Sequence, residues 1–293
     1  MSAVEEAERW TRHLARSHYE NFLVVSWLLP RRLHQPMFNV YAYCRTVDDL
    51  GDEAEGDRLA LLADWERQLE ACFAHQPDGP LFLALERTIR QYDLPIEPFR
   101  ALIQANRQDQ TVSRCETYED LPRYCEYSAN PVGRLVLMLF GYRDEERFAL
   151  SDATCTALQL ANFWQDVARD YARGRIYIPL EDLRRFGCTE SELASGMFHA
   201  GWRALMEFEV ERTRQLFSAG EKLVPLVERR LQTDLRLFTL GGVELLNRIQ
   251  AQGYDVLSRR PRVGAWRQLG LVTRALLYAL RPMPFALAGS RHA

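Results

Sequence analysis

The chain has almost no lysine: of its 37 basic residues only Lys222 is one, so nearly every fixed positive charge is a guanidinium. Arginine's planar fork suits phosphate oxygens, but a bias this global is as well explained by base-rich coding. Cysteine is sparse and unpatterned, six residues with no C-x-x-C pair and no His-rich spacing. That argues against a zinc site or a disulfide frame and leaves reduced core thiols, as expected of a cytoplasmic protein. No apolar run reaches the roughly 18–20 residues needed to span a bilayer. The first residues, Met1 to Glu8, are acidic and lack the hydrophobic core of a signal peptide. A net charge of −3 offers no basic excess for nucleic acid. No G-x-G-x-x-G fingerprint is present, so NADPH is not expected as a cofactor.

What is present is an ordinary globular composition, 293 residues with 47% hydrophobic and 26% charged side chains, able to bury a sizeable core. Helical periodicity dominates. Arg58–Phe73 carries Leu59, Leu62, Trp65, Leu69 and Cys72 on one stripe, and Leu81–Tyr92, Pro98–Arg107, Ser151–Tyr171, Trp202–Phe217, Val224–Gln250 and Trp266–Leu280 behave alike. Breaks fall at His75–Pro80, Asp93–Pro95, Arg173-Gly174-Arg175, Ser195-Gly196 and Arg260-Pro261. Pro131, within Asn130–Gly133, should kink or break a helix running from Leu121 to Phe140. Ser151 reads as an N-cap for the helix that follows it. No linker, fixed-period repeat or low-complexity tract divides the chain, so one all-α domain over residues 1–293 is expected, with its central helices around a cavity.

Two segments about 120 residues apart carry the chemistry. In the first, Tyr41 to Glu53, Asp48 and Asp52 are four residues apart. In the second, Gln159 to Asp170, Asn162, Asp166 and Asp170 are spaced by four. Residues i and i+4 share a helix face, so each segment presents an oxygen-rich stripe set among apolar neighbours. A lone D-x-x-x-D is usually a solvated face, but two such stripes among apolar residues need a partner or a metal. Facing each other across a cavity, they would supply the oxygen-only ligands that suit Mg²⁺ completed by water and substrate phosphates. Arg45, one turn before Asp48, is either a salt-bridge partner or a ligand for diphosphate oxygens. Arg173-Gly-Arg175-Ile-Tyr177 is either a plain helix end or the closure of the phosphate end of that cavity.

Three strings, Tyr41-x-x-Cys-Arg45-x-x-Asp48-Asp-x-x-Asp52, Tyr124-Cys-x-Tyr127-x-Ala-x-Pro-Val-Gly133 and Gln159-x-x-Asn162-x-x-Gln-Asp166-x-x-x-Asp170-x-x-Arg-Gly-Arg175-x-Tyr-x-Pro, resemble the squalene/phytoene synthase family, in its order and spacing. The similarity runs from about His18 to Arg267. It implies the all-α class I isoprenoid synthase fold, chemistry on C15 or C20 prenyl diphosphates, and two or three Mg²⁺ ions bound with the substrate diphosphate. It assigns Asp48, Asp52, Asn162, Asp166 and Asp170 to the metal–diphosphate site, with His18, Phe22, Tyr41, Arg45, Tyr127, Gln159, Arg175, Arg259 and Arg267 around the substrate. Phe22, Tyr41, Phe163 and Trp164 are candidates for an aromatic wall that stabilises a carbocation through π faces without quenching it.

Departures from the family pattern point to a branch. Glu20 stands where some members have lysine, Gln165 where many have arginine, and Glu126 and Gly242 where tyrosines are common. Each removes a diphosphate contact or a polar wall group, which argues against two separate diphosphate sites. The pattern is most similar to the bacterial hopanoid-pathway branch that ionises presqualene diphosphate and captures the cation with water, giving hydroxysqualene. That placement implies functional coupling to enzymes that make presqualene diphosphate and reduce hydroxysqualene. The alternatives are a head-to-head synthase joining two prenyl diphosphates and a non-catalytic helical assembly factor. Trp266 to Leu287, apolar with flanking arginines, has the pattern of an interfacial helix that would give peripheral membrane contact, and also that of a core helix with a frayed tail.

Overall fold

The computed structural model describes residues 2–17, 29–264, 267, 270, 271 and 273–275. Among them the helices are α1 (Ala3–Ser17), α2 (Arg31–Asp52), α3 (Arg58–Phe73), α4 (Gly79–Tyr92), α5 (Glu97–Gln108), α6 (Asp120–Tyr127), α7 (Asn130–Leu139), α8 (Glu145–Ala172), α9 (Leu180–Arg185), α10 (Glu190–Ser195), α11 (Ala200–Gly220) and α12 (Arg229–Ala251), with a 3₁₀ helix at Glu221–Leu226. No strand occurs among the described residues, so the all-α expectation holds. His18, Phe22 and most of the Trp266–Leu287 stretch lie outside the described residues.

The apolar stripes assemble two packed clusters. One joins α2 to α5 and α7 around Tyr43, Leu62, Phe82, Phe99 and Leu135. The other joins α6, α8, α11 and α12 around Leu121, Trp164, Trp202, Phe217 and Leu246. Helix α7 packs against both α2 and α8, so it braces the two acidic helices from behind. One buried polar group is fully answered: the Asn39 amide donates to the Ala84 carbonyl and the Thr88 hydroxyl at 2.9 Å each, and its oxygen accepts from Thr11 and Gln35. Such satisfied networks fix one arrangement of neighbouring helices.

Local chemistry explains most boundaries. Helix α3 matches its expected span residue for residue, and Asp57 caps it by accepting from the Ala60 N–H. Pro131 sits in the first turn of α7, where its missing N–H costs nothing, and the chain breaks before it at Ser128 and Ala129. Two expectations are corrected. Helix α8 starts at Glu145, capped by Asp144, whose carboxylate accepts from the Arg147 N–H at 3.1 Å. Ser151 is buried inside it, under Gly133, where a Cβ would lie 2.5 Å from its hydroxyl. Asp144-Glu-Glu is the better start because a capping carboxylate is followed by two acids on the positive helix end. The Val224–Gln250 helix is likewise split: Pro225 confines the 3₁₀ turn, and extended Val227 and Glu228 precede α12.

Candidate active site

The first acidic stripe occupies the last turns of α2, and the second the last turns of α8. Asp48 keeps solvent access while protein surrounds it, as expected for a group on the wall of a recess. Burial pushes its carboxyl up to about 6, the neighbouring Asp52 adds to the rise, and a hydrogen bond from the Asn106 amide at 3.3 Å opposes it. Asn106 is buried on α5 and pressed against Gly51, where a Cβ would overlap its side-chain oxygen. Glycine at 51 is thus required by close approach, and that approach aims Asn106 at Asp48.

Asp170 behaves similarly. Burial raises its carboxyl to about 7, Asp166 one turn away raises it further, and Arg173 and Arg175 act against the rise. Gln159, Asn162, Asp166 and Asp170 line one face of α8, with Asn162 exposed and the others half-buried. Both rises come first from burial and are increased by a like-charged neighbour, a combination found where acids are gathered at a functional site.

The two stripes meet through the segment that follows α8. Gly174, at φ +85°, turns the chain so that the Ile176 N–H donates to the Ser113 carbonyl at 2.9 Å. This isolated bridge between Arg114 and Ile176 lays Arg175 and Tyr177 beside the end of α5. Arg175 then donates to Asp52 at 3.1 Å and to the Asp109 carbonyl at 3.4 Å, and lies within electrostatic reach of Asp170. Asp109 anchors the arrangement: it accepts from Tyr124 at 2.9 Å and from Tyr177 at 3.5 Å, and burial holds its carboxyl at about 6. Phe163 stacks flat on Tyr177, centroids 3.8 Å apart, and both rings border a small recess with Val167 and Asp170.

Other expected residues fall elsewhere. Arg45 bonds Asp49 at 2.5 Å and Glu53 at 3.3 Å, one row round the helix from Asp48 and Asp52. Trp164 is no wall residue here: it is fully buried, its indole N–H bonded to the Thr213 hydroxyl at 2.8 Å. Tyr41 is half-buried beside Arg45 and Asp48, and Tyr127 is 40% exposed. Arg259 lines a recess of about 580 Å³ with Arg248, Arg260 and Arg262, and Arg267 pairs with Glu244 at 2.7 Å.

A sequence profile of the squalene/phytoene synthase family matches residues 15–267. The chain belongs to the squalene/phytoene synthase family. It is similar to the squalene synthase HpnC of Alicyclobacillus acidocaldarius, with 50% identity, a TM-score of 0.83, and coverage of 86% of this chain and 95% of that one. A ligand-bound dehydrosqualene synthase shares 27% identity at a TM-score of 0.86, over 94% of this chain and 97% of that one. The 15-cis-phytoene synthase of Synechococcus elongatus is 32% identical over 95% of both chains. The fold is accordingly that of the class I isoprenoid synthases, a family of prenyltransferase-like enzymes.

Within this family member, two departures acquire a physical reading. Gln165 is held at both ends: its amide donates to the Pro261 carbonyl at 2.7 Å and its oxygen accepts from Arg260 at 3.2 Å. A guanidinium thus still stands at this spot, delivered from the loop after α12. At Gly242 a side chain would overlap Phe217, so the aromatic bulk absent from 242 is supplied by 217. Asn106, Asp109 and Arg260 were not anticipated from the sequence. The first two are three residues apart near the end of an expected helix, a spacing that a search for polar partners of Asp48 could have used. Arg260 belonged to a segment read only as a helix break.

No three acidic, imidazole or thiol groups converge on one point among the described residues, and no helix among them is long and apolar enough to cross a membrane. The donor set nevertheless fits a hard cation. Five oxygen-bearing side chains lie on two stripes, two carboxyls are pushed towards protonation by burial and by their acidic neighbours, and guanidiniums lie on Asp52 and Asp166.

Proposed function

We propose that this enzyme converts presqualene diphosphate and water into hydroxysqualene and diphosphate, with Mg²⁺ as its metal. The observation that carries the reading is the pair of acidic stripes with Arg175 between them, each with one carboxyl raised by burial and, to a lesser degree, by its acidic neighbour. The 50% identity to the squalene synthase HpnC of Alicyclobacillus acidocaldarius supports this branch over its neighbours. Asp48, Asp52, Asn162, Asp166 and Asp170 would hold the metal. Bound there, Mg²⁺ supplies Lewis-acid stabilisation of the departing diphosphate.

The chain's own groups do the rest. Arg175 and Arg260 provide fixed positive charge for phosphate oxygens, and the half-buried setting of Asp170 strengthens such contacts. Phe163, stacked on Tyr177 beside Asp170, offers an aromatic surface near the acids. When the carbon–oxygen bond to diphosphate breaks, the cation left behind is stabilised by such surfaces. The three-membered ring of that cyclopropylcarbinyl cation rearranges and opens as a water oxygen bonds to a ring-derived carbon and loses one proton, so the reaction balances with no reductant and NADPH is not required. His18, Phe22, Tyr41, Arg45, Tyr127, Gln159, Arg259 and Arg267 are assigned to positions around the substrate, and the functional partners are enzymes that supply presqualene diphosphate and reduce the alcohol.

A second reading, condensation of two prenyl diphosphates, draws on the 32% identity to a 15-cis-phytoene synthase over 95% of both chains. Product analysis separates them. Supplied with presqualene diphosphate and Mg²⁺, the enzyme is expected to give a C30 alcohol whether or not NADPH is added. Given only farnesyl diphosphate, it is expected to yield nothing. Presqualene diphosphate accumulating from farnesyl diphosphate would establish the second reading.

A further inference from the structure

Arg260 makes a contact that the proposed reaction does not explain. Its Nε and Nη2 donate to the two oxygens of Asp166, the latter at 3.0 Å, while Nη2 also reaches Gln165 at 3.2 Å. This two-pronged fork occupies both carboxylate oxygens of a residue on the second acidic stripe. The fork takes one lone pair on each oxygen and holds a fixed positive charge where a divalent ion would bind, so ion and fork compete for this carboxylate. Arg260 itself is 40% exposed and borders the recess lined by Arg248, Arg259 and Arg262, so its side chain has somewhere to go. The backbone at Pro261 meanwhile stays pinned to Gln165, which keeps any movement within the side chain.

We propose that Arg260 is an exchangeable counterion of Asp166: it neutralises this carboxylate in the metal-free enzyme, is displaced by the incoming cation, and then bonds the phosphate oxygens of the diphosphate. The inference rests on the metal reading above and adds a role for a residue outside both acidic motifs. Among the described residues the first stripe has no equivalent device, because Arg175 is tied to the Asp109 carbonyl as well as to Asp52. The exchange makes two bindings oppose each other at one residue. Arg260 competes with the metal when metal is alone and assists it when diphosphate is present, and such coupling is reciprocal.

Calorimetric titration of the purified full-length protein with Mn²⁺, then with inorganic pyrophosphate in saturating Mn²⁺, reads both effects. Arg260→Gln is expected to bind Mn²⁺ alone roughly threefold to tenfold more tightly than the parent, and pyrophosphate weaker by a similar factor. Arg260→Lys, which keeps the charge and loses the fork, is expected to lie between them. A merely structural role would move both affinities the same way or neither. Unchanged or weaker Mn²⁺ binding in Arg260→Gln, with helicity intact, overturns the exchange. If Asp166→Asn and Asp170→Asn bind Mn²⁺ as the parent does, the metal reading itself fails, and the exchange with it.

Discussion

The two acidic stripes share one spacing and differ in what holds them. On α2, Asp48 is bonded by a buried asparagine from α5, and Asp52 by an arginine fixed to the end of the same helix. Those partners are packed in place, Asn106 by Gly51 and Arg175 by the bridge between Arg114 and Ile176. On α8, Asp166 is met by a half-exposed arginine from the loop after α12, and Asp170 feels Arg173 and Arg175 through electrostatics. Identical spacing thus specifies direction on a helix, while tertiary packing decides rigidity. The α2 stripe is built as a fixed half-site and the α8 stripe as an adjustable one.

The hardest blow to the comparison is removal of the charges themselves. Asp48→Asn, Asp52→Asn, Asp166→Asn and Asp170→Asn are each expected to cost on the order of a hundredfold or more in turnover, with circular dichroism unchanged. Near-normal turnover in the two α8 variants would leave that stripe without a function. Next comes the link between stripes. Arg175→Gln removes the donor shared by Asp52 and the Asp109 carbonyl and is expected to slow turnover about tenfold to a hundredfold, measured as kcat on saturating substrate.

Gly51→Ala tests rigidity on the α2 side alone. The new methyl collides with Asn106, so a loss of about 1–3 kcal/mol in denaturant unfolding is expected, together with weakened metal binding. The corresponding small change on the α8 side, Arg260→Gln, should leave stability within about 0.5 kcal/mol, since exposed pairs contribute little. Equal stability losses would erase the distinction between fixed and adjustable halves.

The smallest effect is a pH trend. The Asp170 carboxyl is raised to about 7 in the fold from an ordinary 3.8, so its contribution to stability is full below about pH 4 and is lost as pH rises through 7. Melting temperature of the metal-free protein should therefore fall across that window. Asp170→Asn should flatten the trend by a few degrees at most. A steeper fall in the variant would contradict the assignment.

Much of this was legible in the sequence because it is local. The i, i+4 spacing of acids, the helix of Arg58–Phe73 and the break before Pro131 each depend on a few neighbouring side chains. The resemblance added which acids act together. What the sequence could not supply are encounters across long separations: Asn106 with Asp48, Arg175 with Asp52, Arg260 with Asp166. Arg45 illustrates the limit, since three and four residues onward are both within helical reach, and the structure selects Asp49 at i+4. Trp164 illustrates another, because an aromatic among acids reads as a wall until its indole is seen bonded to Thr213 inside the core.

The central claim is that both stripes serve one ionisation whose cation is captured by water. Purified enzyme supplied with presqualene diphosphate and Mg²⁺ in ¹⁸O-labelled water, without NADPH, tests it directly. The account predicts release of pyrophosphate and a C30 alcohol carrying one ¹⁸O atom. An unlabelled alcohol, or a hydrocarbon formed only after NADPH is added, would contradict it.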